Sequence, residues 1–317
     1  MKQLAIVLSL LPVTALAQYR LDQHFLQYKN LSSGTDAGFT YENLRLYPII
    51  AKDSFKLAFE GISRFTSLKD ALAQSKIAIQ EAGGGGSVNN LIVENLSSDT
   101  IILNCGEVIK GGKQDRVINT DLVLYPHSGK KTVPVFCVEQ GRWAQSQDAD
   151  GSNFKAYYNY SAMSLRKVVS SGSGQGMVWQ KVAELNSKNQ TGTSTGTYTA
   201  LDSSKTYRER LQRYTDYFRK KLGNVKDLVG VIVVTGDKVI GVDIFANNDL
   251  FKSNMEGLLH SYATEAIIDG KEISVSQQDV DRYMQVLLDE SKQAEMLKTG
   301  GSSLNVGNKK LKISSFN

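Results

Sequence analysis

The sequence predicts an α+β fold. A strand-rich N-terminal half, built as a sandwich or barrel-like sheet, packs with a helix-rich C-terminal half that contains a β-hairpin. Three observations carry this. Short apolar runs separated by turn residues succeed one another from 39 to 143. Apolar residues then recur at helical spacing, as in Tyr207, Leu211, Tyr214, Phe218 and Leu222. Further on, two β-rich runs flank Gly236-Asp237, where glycine suits a hairpin turn.

Taken in order, 39–51 and 54–59 read as extended. Residues 67–74 read as a short helix with Ser67 as N-cap and Asp70 three residues on, and 76–81 as a strand. The four glycines at 83–86 make a flexible corner. Strands are expected at 88–95, 100–108, 122–125 and 131–139, with turns at 95–99 and 127–130. In the second half, 162–170 and 177–186 read as helices. Residues 189–204, poor in apolar side chains, read as a long mobile loop. The helix over 207–222 ends at Gly223, and the hairpin pairs 228–234 with 238–245. Asp243 shares a strand face with Val239 and Phe245 and is expected on a solvent-facing hairpin edge. Two more helices follow, one with Phe251, Met255, Leu258, Tyr262 and Ala266 on its face. The other carries Val280, Tyr283, Met284, Leu287 and Leu288 and is capped by Ser276. The expected organisation is an extension at 18–38 and one composite domain at 39–298, strand-rich over 39–143 and helix-rich over 160–298. A polar tail at 299–317 ends in a weak strand at 310–314.

Composition narrows the function. With 317 residues, 41% hydrophobic and 22% charged, the chain is neither disordered nor a small disulfide scaffold. A net charge of +5, from 37 basic and 32 acidic residues, is too small to imply a nucleic-acid partner. Two cysteines and three scattered histidines (His24, His127, His260) form no metal-ligand pattern, and no cofactor box is present. No metal or cofactor is therefore expected. Residues 1–17 read as a signal peptide. Lys2 precedes an apolar run, and Ala15-Leu16-Ala17 supplies small residues where signal peptidase reads. Cleavage after Ala17 and a periplasmic or secreted protein are expected. That run is too short to span as a helix, and no later run reaches 18 apolar residues, so no membrane span is expected in the mature chain. The sequence leaves the oligomeric state open.

One polar cluster stands apart. Two stretches each run through Cys-x-Glu into glycine and basic residues: Cys105 to Arg116, and Cys137 to Trp143. Residues two apart share a strand face, so an apolar stripe finishes at Glu107 in one strand and at Glu139 in the other. Both carboxylates sit at the end of a core, where burial can raise a pKa. In a three-strand meander, 100–108 and 131–139 would flank the strand ending at 125 and lie roughly 10 Å apart. Cys105 and Cys137 would then be too far apart to bridge and would stay buried thiols; adjacent outer strands would let them pair. A small molecule is the expected partner, held by Glu107, Lys113, Gln114, Asp115, Arg116, Glu139, Arg142 and Trp143. Arginine forks suit carboxylate or phosphate, and tryptophan offers a stacking face. Two alternatives stand beside this. Glu107 and Glu139 would be general acid and base of a hydrolase. Or Glu107–Arg116 and Glu139–Arg142 would be structural ion pairs in a non-enzymatic envelope interaction module. Phosphate-loop and Rossmann readings fail, because Gln114 replaces the required Ser or Thr and 83–86 lacks the spacing.

The same residues carry a family resemblance. Gly106-Glu107, then Gly111 to Arg116, then Pro134 to Trp143, resemble the ARG and rhodanese-phosphatase-superfamily-associated protein domain family, a family of unknown function. The likeness covers roughly 39–288, including Asp243-Ile244-Phe245 and Glu265-Ala266. The family name implies association with ADP-ribosylglycohydrolases, and hence ligands derived from ADP-ribose or nucleotides.

Overall fold

The computed structural model describes residues 26–28, 39–62, 64–82, 89–143 and 154–317; the expected signal peptide and the 83–86 corner lie outside them. The strand-rich half runs β1 (Leu26–Tyr28), β2 (Thr40–Tyr41), β3 (Leu44–Ala51), α1 (Asp53–Ala58), β4 (Phe65–Ser67), α2 (Leu68–Ala73), β5 (Ile77–Glu81), β6 (Asn90–Asn95), β7 (Thr100–Leu103), β8 (Glu107–Gly111), β9 (Arg116–Ile118), β10 (Leu122–Leu124), β11 (Lys130–Cys137) and β12 (Phe154–Tyr160). The remainder runs α3 (Met163–Ser170), α4 (Gln175–Lys188), a 3-10 turn (Tyr198–Ser203), α5 (Lys205–Gly223), β13 (Leu228–Thr235), β14 (Lys238–Phe245), α6 (Asn248–Asp269), α7 (Gln277–Leu288), α8 (Glu290–Gly300), β15 (Gly301–Val306) and β16 (Lys309–Phe316). The α+β class holds.

A six-stranded antiparallel sheet, ordered β12-β8-β9-β11-β6-β5, curls until its two edge strands touch. Side chains alternate across it. Ile109, Ile118 and Val135 face an inner core shared with Ile101, Leu103 and Leu124 of the small sheet β10-β7-β4. Val108, Val117 and Phe136 face outward, under Leu165 of α3 and Val178 and Val182 of α4. The small sheet is a common wall, because Ile102 of β7 points the other way, into the core of the second half.

That second core surrounds a seven-stranded antiparallel sheet, β1-β3-β13-β14-β16-β15 with β2 on β3. Register pairs Asp243 with Ser314 and Val242 with Ser315. Tyr262 of α6 bonds Asp243 and Tyr283 of α7 bonds Ser315, so helices cover both faces. This accounts for β13, where every residue is buried and the sequence is a continuous apolar run. Among the described residues, no helix is long and apolar enough to cross a membrane.

Several expectations change. Segment 54–59 is helical: Phe55, Ala58 and Phe59 are buried at helical spacing, while Leu57 between them is 72% exposed. The strand expected at 100–108 breaks into β7 and β8, which belong to different sheets. Gly106 turns there at φ +93°, and a Cβ on it would lie 2.6 Å from Arg166 Cγ. The meander is replaced, since β10 pairs with β7 while β11 pairs with β9 and β6. Neither cysteine forms a disulfide, and both are buried. The stretch read as a mobile loop at 189–204 includes the 3-10 turn, whose Tyr198 and Leu201 are fully buried. Asp243 lies in the interior, not on an exposed edge, because β14 is a central strand. The segment after Lys298 forms the hairpin β15–β16, and β16 is inserted beside β14 with Leu311 and Ile313 in the core. Leu26 to Tyr28, within the expected extension, adds an edge strand to β3.

Candidate functional site

The polar cluster assembles where β5 and β11 end and β9 begins. Arg116 is fully buried on β9, and its guanidinium reaches both Glu81 oxygens at 3.4 Å and the Gln114 carbonyl at 3.0 Å. Gln114 in turn donates to the Glu139 carbonyl at 2.7 Å and accepts from the Cys137 thiol at 2.9 Å. Gln175 of α4 brackets the end of β11, accepting from Cys137 N–H at 2.8 Å and donating to its carbonyl at 2.7 Å.

Arg142 is the second hub. It meets Glu139 at 2.7 Å and Asp115 at 3.2 Å, and it donates to the Gly112 carbonyl at 2.8 Å. Asp115 also accepts from the hydroxyls of Thr197, at 3.0 Å, and Thr199, at 3.3 Å. Its backbone N–H donates to Glu139 at 3.1 Å. Two glycines permit this packing. A Cβ on Gly112, which has φ +52°, would fall 2.4 Å from Phe154 and 2.6 Å from Glu81. One on Gly141 would fall 2.9 Å from the Ser194 carbonyl.

The electrostatics follow from the packing. Burial, reinforced by the neighbouring Glu139 charge, pushes the Asp115 carboxyl up. Burial also acts upward on Glu139, but hydrogen bonds from Arg142 and Asp115 N–H outweigh it and hold that carboxyl below its ordinary range. Arg116 pairs with Glu81, and Arg142 with Asp115 and Glu139; Lys113, whose backbone N–H donates to Glu81, brings the local count to three acids and three bases. At its outer edge Trp143 is 47% exposed, with the Lys113 ammonium 5.1 Å from the ring centroid.

Seven of the eight expected residues therefore converge. Glu107 does not share their partners. It is 1% exposed, its Oε2 accepts from Asn104 N–H at 2.6 Å, and Tyr157 donates to it as well. Burial pushes its carboxyl up to about 7. The expected Glu107–Arg116 pair is replaced by Glu81–Arg116, because β8 and β9 set Arg116 opposite Ile109 and leave Glu107 two residues further along β8. The carboxylate beside Glu139 is Asp115. Sequence reasoning missed Glu81, Gln175, Thr197 and Thr199. Glu81 had a signal: Ile77, Ile79 and Glu81 repeat the apolar stripe ending in a carboxylate. The threonines had none, because they come from the stretch read as a loop.

A second polar network joins the two halves. Arg166 and Asp243, both fully buried, pair through two bonds of 2.7 and 2.9 Å, and Asp243 also accepts from Tyr262 and Ser314. Burial acts upward on Asp243, but the Arg166 charge and hydrogen bonds prevail and lower its pKa. Lys312 pairs with Asp121 at 2.7 Å, and Asp121 receives Cys105 N–H at 2.8 Å.

Fold and site define an α+β protein whose two halves share a sheet wall and whose strand-rich half carries a neutral, mostly buried ion-pair lattice. The chain belongs to the ARG and Rhodanese-Phosphatase-superfamily-associated Protein domain family, ARPP-1, whose profile matches residues 34–312. No curated protein and no solved structure matches it.

Proposed function

We propose that this is an exported protein that binds a small anionic or polar ligand on the Lys113–Trp143 face of the lattice. The carrying observation is the half-exposed Trp143 ring with a cation beside it, set on backbone that buried ion pairs hold in place. An aromatic face and an ammonium suit a planar group bearing negative charge, as in nucleotide- or sugar-derived ligands. The arginines act as positioning groups, since Arg142 is already engaged by Glu139, Asp115 and Gly112. The family name makes ADP-ribose the first probe, with AMP and glucose 1-phosphate beside it.

The chain has two tryptophans, so a Trp179→Phe protein reports on Trp143 alone. A probe should quench that fluorescence and raise the melting temperature. Lys113→Ala and Trp143→Ala, made in the wild-type chain, should lose the ligand-induced rise while melting normally without ligand. A purely structural cluster in an envelope interaction module predicts no quenching by any probe, and that result overturns the binding reading. For export, mass spectrometry of the native protein should find Gln18 or its pyroglutamate form at the N-terminus; an intact Met1 refutes it.

One observation favours a second reading. Asp115 and Glu139 are neighbouring carboxylates whose pKa values move in opposite directions, the arrangement acid–base hydrolysis needs. Turnover of phosphodiester or glycoside substrates that is lost in both Asp115→Asn and Glu139→Gln proteins would establish it.

A further inference from the structure

A trough of about 400 Å3 lies along α5, formed by residues outside the lattice. One helix face makes its wall, with Arg208, Leu211, Thr215 and Arg219 at successive spacings of three and four. Arg208 and Arg219 stand about 16 Å apart along the axis. Arg219 holds Glu256 of α6 through bonds of 2.6 and 2.7 Å, which neutralises that carboxylate. Arg208 donates to the Asp202 carbonyl.

His260 of α6 lines the trough and is 5% exposed. Its Nδ1 lies 3.2 Å from the Tyr160 carbonyl oxygen. A carbonyl only accepts, so the neutral ring carries its proton on Nδ1 and keeps its lone pair on Nε2. Burial holds the imidazole down at about 4, so it stays neutral at physiological pH. The Tyr158 ring meets it edge-on at 5.4 Å and fixes its plane. Lys69 and Arg208 stand exposed at the rim. Across the lining, Lys69, Arg208 and Arg219 outnumber Asp202 and Glu256 by one positive charge.

We propose that this trough is a second small-molecule site, for a hydroxylated organic anion. His260 Nε2 accepts a ligand hydroxyl, and Lys69 and Arg208 meet its carboxylate or phosphate. A buried acceptor calls for a donor, and a rim with a cationic excess calls for an anion. The volume is near the lower end of small-molecule sites, roughly 300–1,000 Å3, and suits one sugar-sized ligand.

The test titrates the full chain, 15N-labelled at histidine, with glucuronate, glucose 6-phosphate and glucose. The His260 Nε2 resonance, assigned by its loss in His260→Gln, should shift with at least one of the two anions and not with glucose. The tighter of the two tells carboxylate from phosphate. Arg208→Ala and Lys69→Ala should each weaken binding about tenfold. Trp143→Ala should leave it unchanged, which separates this site from the Lys113–Trp143 platform. A His260 signal that ignores both anions overturns the proposal. So does equal binding of glucose, unaltered affinity in both rim variants, or loss of the shift in Trp143→Ala.

Discussion

Replacing Glu107 with glutamine should make the protein more stable at neutral pH and leave it unchanged in acid. Burial lifts this carboxyl from an ordinary 4.5 to about 7 in the folded chain. Below pH ~4.5 the side chain is protonated whether folded or not, and the shift costs nothing. Between that pH and 7 the unfolded chain ionises while the folded one keeps its proton, so stability falls as pH rises. Above 7 both states are ionised and the full penalty remains. One pKa unit corresponds to ~1.4 kcal/mol, so the penalty is about 3 kcal/mol. Glutamine is neutral throughout. Its oxygen can still accept from Asn104 N–H, and its amide can donate to the Tyr157 hydroxyl. Urea unfolding of both proteins from pH 4.5 to 8.5 should give curves that coincide at the acid end and separate by about 3 kcal/mol at the alkaline end. Curves that run parallel over the whole range would refute the burial argument.

Three further outcomes follow from the packing. Asp243→Ala leaves the Arg166 guanidinium buried without its carboxylate and should cost about 3–5 kcal/mol in urea unfolding, while the paired change Arg166→Met with Asp243→Leu should recover most of it. Since Asp243 has a lowered pKa, the stability it contributes is present above its ordinary pKa and is lost as pH falls through the lowered one; the Asp243→Ala deficit should therefore shrink in acid. Burial pushes Cys105 up to about 12 and Cys137 up to about 11, so iodoacetamide at pH 8 should label neither until the chain is unfolded. Gly112→Ala should destabilise by ~1–3 kcal/mol, because its Cβ would strike Phe154 and Glu81; a melting temperature equal to wild type would contradict that geometry.

Legibility of the chain followed the range of the interactions. Helix α7 was readable to its cap: Ser276 accepts from Asp279 N–H, three residues away, and Val280, Met284 and Leu287 are buried on one face. Ser67 caps α2 in the same way. The six-residue α1 escaped because so short a segment shows barely two turns of periodicity. Strand 100–108 looked continuous because the alternation of Ile101, Leu103 and Cys105 runs on to Glu107; the turn at Gly106, φ +93° and packed on Arg166, breaks it. The polar tail became a hairpin for a similar reason. Ser314, Ser315 and Lys312 look like surface residues, yet each is buried with a partner from elsewhere in the chain.

The sequence by itself determined the class of fold, most helices with the Ser67 and Ser276 caps, and which stretches would carry the charged cluster. Each of these depends on side chains within a few residues of one another, or on composition. Tertiary structure alone decided who pairs with whom. Arg116 takes Glu81 from 35 residues away, Arg166 takes Asp243 from 77, and Lys312 takes Asp121 from 191. A charge removed from water must find an opposite one, but strand order chooses which carboxylate arrives beside it. That choice parted Glu107 from the cluster and put Asp115 next to Glu139.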